Sequence, residues 1–416
     1  MAAARAEPEP GRAGERRHGG SLQAPAALPV IGSLNGVHMF GANLDVLLTA
    51  ACTTNTHVVW RVFHNSITLI VLSSEEGASD FALGRLLDNA FSAMVLILGL
   101  EELVNVRNIE RLKKDLRACY KLIDSFLAPL ERSGDLTQCV ECVLCPTVPV
   151  RQECLEAFAG AAESRFGCLV AGGRLVLATE PWWQLAPQEL LLLSWLVGSL
   201  PPHAARDYPI YLPHGSPTVP HRLLTCQLLP GLEACLICGP SPALHTVETE
   251  LVPRFWKPLL EPLQACVSPQ PHGLPHGTTL PPGVLAFLLI HREQRSSQSS
   301  VQPPGSGGEV CPVPQPSLWE RACPPGAAPA PCATSTPWSP PATSPGRAAQ
   351  PPQEPFQAGF PHRARHCYVV SATHKAYAIH APQHQLFLLL APHVPTFALR
   401  PLAARTLQRL TGDTAL

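Results

Sequence analysis

Residues 58–74, VVWRVFHNSITLIVLSS, consist of two runs rich in β-branched and aromatic residues, separated by the polar pair His64-Asn65. Such residues favour strands, and a polar pair between two apolar runs is typical of a hairpin. The second run, residues 67–72, carries apolar residues on both faces of the strand, which indicates that both faces are covered. We therefore predict that this hairpin lies at the centre of a small sheet.

Helical patterns flank the hairpin. Apolar residues recur every three or four positions through residues 80–100 and again through 108–126, a segment that opens on the N-capping residue Asn108. Upstream, we predict a short helix at residues 28–40 and, from the alternation of apolar positions, a half-buried strand at residues 44–50. The first unit is therefore predicted to contain a helix, three strands and two helices.

The same order of elements recurs downstream. A strand pair flanks Gly172-Gly173, which is a two-residue hairpin signal. A helix with Pro187 in its first turn follows, and then three strands and an apolar segment that three prolines must kink or break. The second unit thus has the element order of the first unit, preceded by a strand hairpin that the first unit lacks. We base the predicted fold class on this repeat.

Composition separates these units from the rest of the chain. The sequence of 416 residues contains 47 prolines, more than one compact domain can absorb. The Pro-rich or Ala/Gly-rich segments lack apolar periodicity, so we predict that they are disordered. The predicted organisation is a disordered segment at 1–28, a first domain at 29–135, a second at 136–270, the remnant of a third at 283–293 plus 366–416, and a disordered insert at 294–365.

Several classes of function are disfavoured. A formal net charge of −1 gives no overall excess of positive charge of the kind that favours binding to nucleic acid. The most apolar runs are shorter than the roughly 20 residues that span a bilayer. No phosphate-binding GxxxxGK[ST] loop occurs, and His214, Ser216 and His221 lie in a Pro-punctuated segment that favours a turn over a hydrolase site. We expect no catalytic or cofactor-binding residue, no cofactor and no small-molecule substrate.

Cysteine spacing raises the alternative of a metal site. Cys139 and Cys142 form one Cys-x-x-Cys pair, Cys235 and Cys238 form another, and four thiolates can hold zinc. The pairs lie about ninety residues apart, against roughly 15–20 in paired zinc knuckles. In a strand, Cys235 and Cys238 would also point to opposite faces. We therefore favour buried free thiols in a reducing compartment, with no metal.

Two surface interpretations stay open. The basic residues of the helix after Asn108 could meet acidic lipid or a phosphoprotein, although the solvated side of an amphipathic helix is the simpler explanation. Residues 80–100 and 190–197 carry more apolar positions than one buried stripe requires. They are either buried on several sides or exposed to a protein partner.

Long strings of the sequence resemble a known family. Examples are VIGSLNGVHMFG at 30–41, GLEELVNVRNIERLKKDLRACYKLIDSFL at 99–127 and WLVGSLPPHAARDYPIYLPHGSPTVPHRLLT at 195–225. Together with the order of elements, they are similar to the tri-longin effectors of planar cell polarity. The resemblance implies an α/β (α+β) fold of repeated longin-type domains, each a small, mainly antiparallel sheet flanked by helices. The first longin then lacks its opening hairpin, and the third is interrupted.

The resemblance also implies partners and a cellular role. Such proteins pair with Inturned, add the WD-repeat partner Fritz and engage small GTPases of the Rab and Rab-like class, with nucleotide exchange on a Rab. The implied setting is the cytoplasm and the cytoskeleton at the basal body of the cilium, with peripheral membrane contact through the complex. Cilium biogenesis, protein transport and Hedgehog signalling follow from that role. The alternative is a non-catalytic scaffold without exchange activity.

The candidate site is a surface, because longins bind partners through helices and sheet edges. We expect the first longin to present it through the helix at residues 30–40 and the strand edge at 44–50. The candidate contacts are Val37, His38, Phe40, Leu44 and Val46. Exchange on a GTPase requires a surface that binds the nucleotide-free state more tightly than the loaded state, and it needs no general acid or base.

Overall fold

The computed structural model describes residues 3–6, 27–53, 55–74, 79–127, 139–143, 148–201, 203–267, 280–301 and 365–411. Residue contacts divide the chain into two compact units, Met1–Ser268 and Pro269–Leu416. The first unit contains the first and second longin sheets, and the second unit contains the third. The predicted class, mixed α/β with mainly antiparallel sheets flanked by helices, is confirmed.

The first sheet has the strand order β1-β4-β3-β2, formed by Ala3–Ala6 (β1), Ala50–Cys52 (β2), His57–Phe63 (β3) and Ile67–Ser73 (β4). The predicted hairpin is the pair β3–β4 in its interior. The turn between these strands holds His64 at φ 50° and Asn65 at φ 54°. Positive φ at both central positions is typical of a type I′ turn, which matches the twist of paired strands.

The structure corrects the predicted disorder of residues 1–28 in part. Ala3–Ala6 form β1 and pair in parallel with β4. This pairing occupies an edge of β4 that would otherwise expose unpaired backbone groups. The first helix, α1, spans Ala27–Asn43, so it begins inside the segment predicted to be disordered. Residues 7–26 lie outside the described residues.

The predicted strand at residues 44–50 is wrong over most of its length. The amides of Leu44 and Val46 each donate to the Gly41 carbonyl at 2.9 Å, so these residues terminate α1. Asp45 has φ 57°, the left-handed conformation that commonly ends a helix. The alternating pattern therefore belongs to a helix end, and pairing in β2 starts only at Ala50.

Four helices follow β4: α2 (Asp80–Leu98), α3 (Leu100–Val104), α4 (Ile109–Asp115) and α5 (Tyr120–Leu127). The Asn108 side-chain oxygen accepts from the amides of Glu110 and Arg111 at 3.0 and 3.1 Å, which confirms the predicted N-cap. A 3-10 turn at Leu116–Cys119 separates α4 from α5, so the single helix predicted there is two helices.

The second longin restores the opening hairpin. After a two-residue strand β5 (Val140–Glu141), its elements are α6 (Val148–Ala161), β6 (Phe166–Ala171), β7 (Arg174–Ala178), α7 (Glu180–Trp183), α8 (Pro187–Ser199), β8 (Ala205–Leu212), β9 (Ser216–Leu229) and β10 (Leu232–Cys238). The sheet order is β7-β6-β10-β9-β8. Gly172 at φ 55° and Gly173 at φ 80° form the predicted turn between β6 and β7.

The predicted broken helix closes this domain. It consists of α9 (Leu244–Thr246), a π-helical stretch at Val247–Leu251, α10 (Val252–Trp256), a 3-10 turn at Lys257–Leu259 and α11 (Leu260–Val267). Pro253, Pro258 and Pro262 lie in the three segments after the π-helical stretch. Each lacks the amide that would continue the α-helical hydrogen bonds, which explains the irregularity.

The third longin is more complete than the predicted remnant. Its elements are β11 (Val284–His291), β12 (Ser296–Val301), β13 (His366–Val370), β14 (Lys375–His380), β15 (His384–Leu390) and α12 (Leu399–Thr411). Their order in the sheet is β13-β14-β15-β11-β12. In this sheet β15 pairs with β11, and β11 pairs with β12. The second longin has the same arrangement, with β10 beside β6 and β6 beside β7.

The third longin also corrects the predicted insert at 294–365. Residues Ser296–Val301 form β12, and each pairs with a residue of β11. The Ser/Gln-rich sequence of β12 has no apolar pattern that would predict a strand. Its backbone nevertheless forms hydrogen bonds with the apolar strand β11, and Ser297 and Ser300 are buried. Residues 302–364 lie outside the described residues.

The first and second longins share one core. Helix α2 packs on the first sheet, α2 and α5 both pack against α8, and one buried cluster runs through all three helices. Helix α2 is long and apolar enough to cross a membrane, but 67% of its most apolar window is buried inside the protein. The excess of apolar residues at 80–100 and 190–197 is therefore explained by burial on several sides.

Candidate partner-binding site

The candidate site is helix α1, which packs on one face of the first sheet. Leu34 packs against a cluster formed by Val58, Trp60 and Ile70. These three residues lie on the sheet face opposite Val59, Leu69 and Val71, which contact the shared core. Helix α1 thus attaches through a narrow apolar contact on its inner face.

His38 belongs to this inner face. It lies four residues after Leu34, so both side chains point to the same side of the helix. Its exposure is only 8%. The prediction that His38 contacts a partner is therefore corrected, because its side chain is not at the surface.

The flank of α1 beside this inner face carries an exposed apolar stripe. Val30, Val37, Phe40 and Leu44, here called the outer stripe, are 48%, 55%, 66% and 60% exposed. Their spacing of seven, three and four residues places them along one side of the helix, as in the a and d positions of a coiled coil. Val46 and Leu47 extend the exposed apolar surface beyond the end of the helix. A contiguous surface of this kind is typical of a protein-binding site.

Helix α8 occupies the same place in the second longin, between the opening hairpin and the three following strands. It is covered on both sides: Leu190, Leu192, Leu193 and Leu196 are buried, and α8 packs on β6 and β7 and against α2 and α5. The Trp195 ring lies 5.2 Å from that of Phe126 between centroids. One longin therefore covers the outer side of the next longin's helix, whereas the outer stripe of α1 has no such cover among the described residues.

Polar contacts fix the α8 arrangement. The Gln188 side-chain amide donates to the Asn89 side-chain oxygen of α2 at 2.9 Å, and the His214 Nε2 lies 2.8 Å from the Gln188 oxygen. These contacts join the start of α8 to the first longin and to the turn between β8 and β9. His214 lies in the predicted turn, and it also contributes to packing between the two domains.

The two cysteines of the second pair lie in different cores. Cys235 contacts the core shared with the first longin, whereas Cys238 contacts the core on the other face of the second sheet. Within the described residues, no group of three or more His, Cys, Asp or Glu side chains is arranged to hold a metal ion. The opposite orientation of Cys235 and Cys238 is thus confirmed, and it prevents both from binding one ion.

Burial makes several thiols unreactive. Desolvation raises the pKa of Cys119 and of Cys226 to about 12. At pH 8 about one such thiol in ten thousand is ionised, and the thiolate is the reacting form. We expect iodoacetamide followed by peptide mass spectrometry to label the exposed Cys52 and to leave Cys119 and Cys226 unlabelled until denaturant is added. Equal labelling in the native protein would contradict this assignment of core thiols.

The repeated topology agrees with comparisons to known proteins. Family models described as the First, Second and Third Longin domain of FUZ, MON1 and HPS1 match residues 16–126, 162–257 and 341–414. The chain is 53% identical to protein fuzzy homolog of Xenopus tropicalis over 384 residues, 92% of this chain and 91% of the relative. Protein fuzzy homolog of Homo sapiens is 51% identical over 400 residues, covering 94% and 92%. The chain belongs to the Fuzzy family.

Membership in the Fuzzy family confirms the resemblance on which the longin prediction rested. The third family model starts at residue 341, whereas the structure places the hairpin β11–β12 in the same sheet as the strands after residue 365. The third longin of this Fuzzy-family chain therefore begins at Val284, well before the matched segment, because backbone pairing with β15 adds a strand pair that the match omits.

Proposed function

We propose that this chain is the longin subunit that pairs with Inturned, and that the pair engages and activates a Rab-family GTPase. Fritz joins the pair, and the complex supports protein transport to the basal body and the cilium from the cytoplasm. One observation carries the proposal: the outer stripe of α1 is exposed, although the equivalent helix α8 is covered by a neighbouring longin. Inturned is the proposed cover.

The outer stripe can supply part of the binding energy for a partner. Fully burying a large apolar side chain contributes about 1.5–3 kcal/mol, so half-exposed ones contribute about 1 kcal/mol each. Four such residues supply a compact anchor of the kind that dominates many interfaces. Val46 and Leu47 extend the anchor past the helix end, so the proposal keeps a partner-binding role for this segment although it is not a strand edge.

The proposed mechanism needs no reacting side chain. A surface that binds the nucleotide-free GTPase more tightly than the loaded one lowers the affinity of the nucleotide by the same factor, and release accelerates. The pair would supply that surface through its longins. A scaffold, the alternative function, holds Inturned and Fritz together without changing nucleotide release.

Replacing Val37 and Phe40 with aspartate is expected to abolish co-purification of Inturned. Burying two unpaired carboxylates at an interface costs about 4 kcal/mol or more, a factor of about a thousand in affinity. The matched control is Val219→Asp in β9, because Val219 is 57% exposed against 55% for Val37. The control should retain Inturned.

Circular dichroism and thermal unfolding establish that both variants are folded. Retention of Inturned by the folded Val37→Asp/Phe40→Asp variant would contradict the placement of the interface on α1. The rate at which fluorescent GDP is released from the Rab then distinguishes nucleotide exchange from a scaffold function. We expect the reconstituted pair to accelerate release, and an unchanged rate in the intact pair would favour the scaffold.

A further inference from the structure

Among the described residues, one edge strand of the third longin sheet pairs on one side only. Strand β13 is outermost in its sheet, and within the described residues it pairs only with β14. The Arg365 carbonyl accepts from the His380 amide at 2.8 Å, and the Ser371 amide donates to the His374 carbonyl at 2.9 Å. Because antiparallel hydrogen bonds alternate along a strand, the odd-numbered residues of this segment face β14. The backbone groups of His366, Tyr368 and Val370 therefore face outward.

The side chains on this edge are apolar and exposed. Tyr368, Val369 and Val370 are 57%, 43% and 53% exposed. Natural sheets usually protect an edge strand with a charged residue, a proline or a bulge, but HCYVV contains no proline and no Lys, Arg, Asp or Glu. An unprotected edge with large apolar side chains is the surface that strand addition uses.

The surroundings of this edge are cationic. In the described residues of the second unit, Glu293 is the only acidic residue, and the basic ones are Arg292, Arg295, Arg365, Lys375, Arg400, Arg405 and Arg409. The chain as a whole has a formal net charge of −1, so the positive charge is concentrated in this domain. Burial, followed by the guanidinium groups of Arg400 and Arg365, lowers the pKa of His366, which places both cations near the start of β13.

We propose that β13 binds an extended acidic segment of a partner protein, which adds a further strand to the third longin sheet. Its backbone pairs with His366, Tyr368 and Val370, its apolar side chains cover Tyr368 and Val370, and its carboxylates face Arg365 and Arg400. Charge complementarity selects an acidic segment over a basic one. The outward amides select a peptide over a lipid surface, because lipids provide no ladder of carbonyl acceptors at strand spacing.

The first test uses the full chain and a short fluorescein-labelled peptide of alternating Glu and Val, followed by fluorescence anisotropy. The matched probe replaces each Glu with Lys. We expect the acidic peptide to bind about tenfold more tightly or better, and its affinity to fall as NaCl screens the charges. Equal binding of the two peptides, or no binding of the acidic one, would overturn the proposal.

The second test removes a single outward donor. Val370→Pro deletes the outward amide at the last residue of β13, where a proline leaves the ladder with β14 intact, and Val370→Ala keeps that amide. We expect Val370→Pro to weaken the acidic peptide about tenfold and Val370→Ala to weaken it by much less. The proposal fails if the two variants bind alike, or if phosphatidylserine vesicles displace the peptide and bind Val370→Pro as well as the natural chain.

Discussion

Replacing Phe126 with alanine is expected to destabilise the first compact unit by about 3–5 kcal/mol, as for other buried Phe→Ala changes. Phe126 is 5% exposed in α5, and its ring lies against Trp195 of α8 at 5.2 Å between centroids. The substitution leaves a cavity and removes an aromatic contact where the first longin meets the second. Because both sheets share that core, both longins should lose stability together.

Urea denaturation measures this effect, with peptide-resolved hydrogen exchange reporting on each sheet. The control is Phe81→Ala, since Phe81 is 69% exposed and contacts the Arg85 guanidinium at 5.5 Å from its ring centroid. It should cost less than about 1 kcal/mol. Faster exchange in the first sheet alone after Phe126→Ala would show that the two longins are not energetically coupled.

Replacing Glu189 with alanine is expected to destabilise the same unit by about 3 kcal/mol. The carboxylate is 1% exposed; one oxygen accepts from the Ala186 amide at 3.0 Å and the other from the amides of His214 and Gly215 at 2.8 and 2.9 Å. It therefore joins the start of α8 to the turn between β8 and β9. Alanine leaves three amides without this acceptor. Hydrogen bonds to a charged group contribute about 1.5–3 kcal/mol each, and water that enters the vacated space recovers part of their sum.

The control for Glu189 is Glu180→Ala, because Glu180 also lies in the first turn of a helix but is exposed. Its replacement should cost less than about 1 kcal/mol, the usual contribution of an acidic residue at a helix start. Glu189→Gln should fall between the two, since it keeps one oxygen but directs an amide group at a backbone donor. Equal denaturation midpoints for Glu189→Ala and the natural chain would refute the role of this carboxylate.

The sequence predicted correctly those features that depend on residues within a single segment, such as turns and helix caps. Two glycines at positive φ form the turn at Gly172-Gly173, and the Asn108 side chain caps α4, because these residues act within their own segment. Helix α6 was missed because Ala and Gly residues weaken its apolar pattern, although Leu155 and Phe158 are buried. Strand β12 was missed because its neighbour β11, and not its own sequence, supplies the pairing.

The candidate site was predictable only in part. Apolar residues between 30 and 46 pointed to a surface, and Val37, Phe40, Leu44 and Val46 are indeed exposed. Periodicity alone did not identify which side of α1 faces the sheet, so His38 was misplaced. That choice depends on Leu34 meeting Val58 and Trp60, a contact made across more than twenty residues of sequence. The edge position of β13 likewise depends on the strand order of the third sheet.

Hydrogen exchange of the chain with and without Inturned tests the central claim most directly, namely that a partner covers the outer stripe of α1. We predict that amides in residues 30–47 exchange more slowly in the complex, whereas amides of α8 keep the slow exchange that their buried position already gives them. Unchanged exchange in residues 30–47, in a complex that is fully formed, would contradict the account.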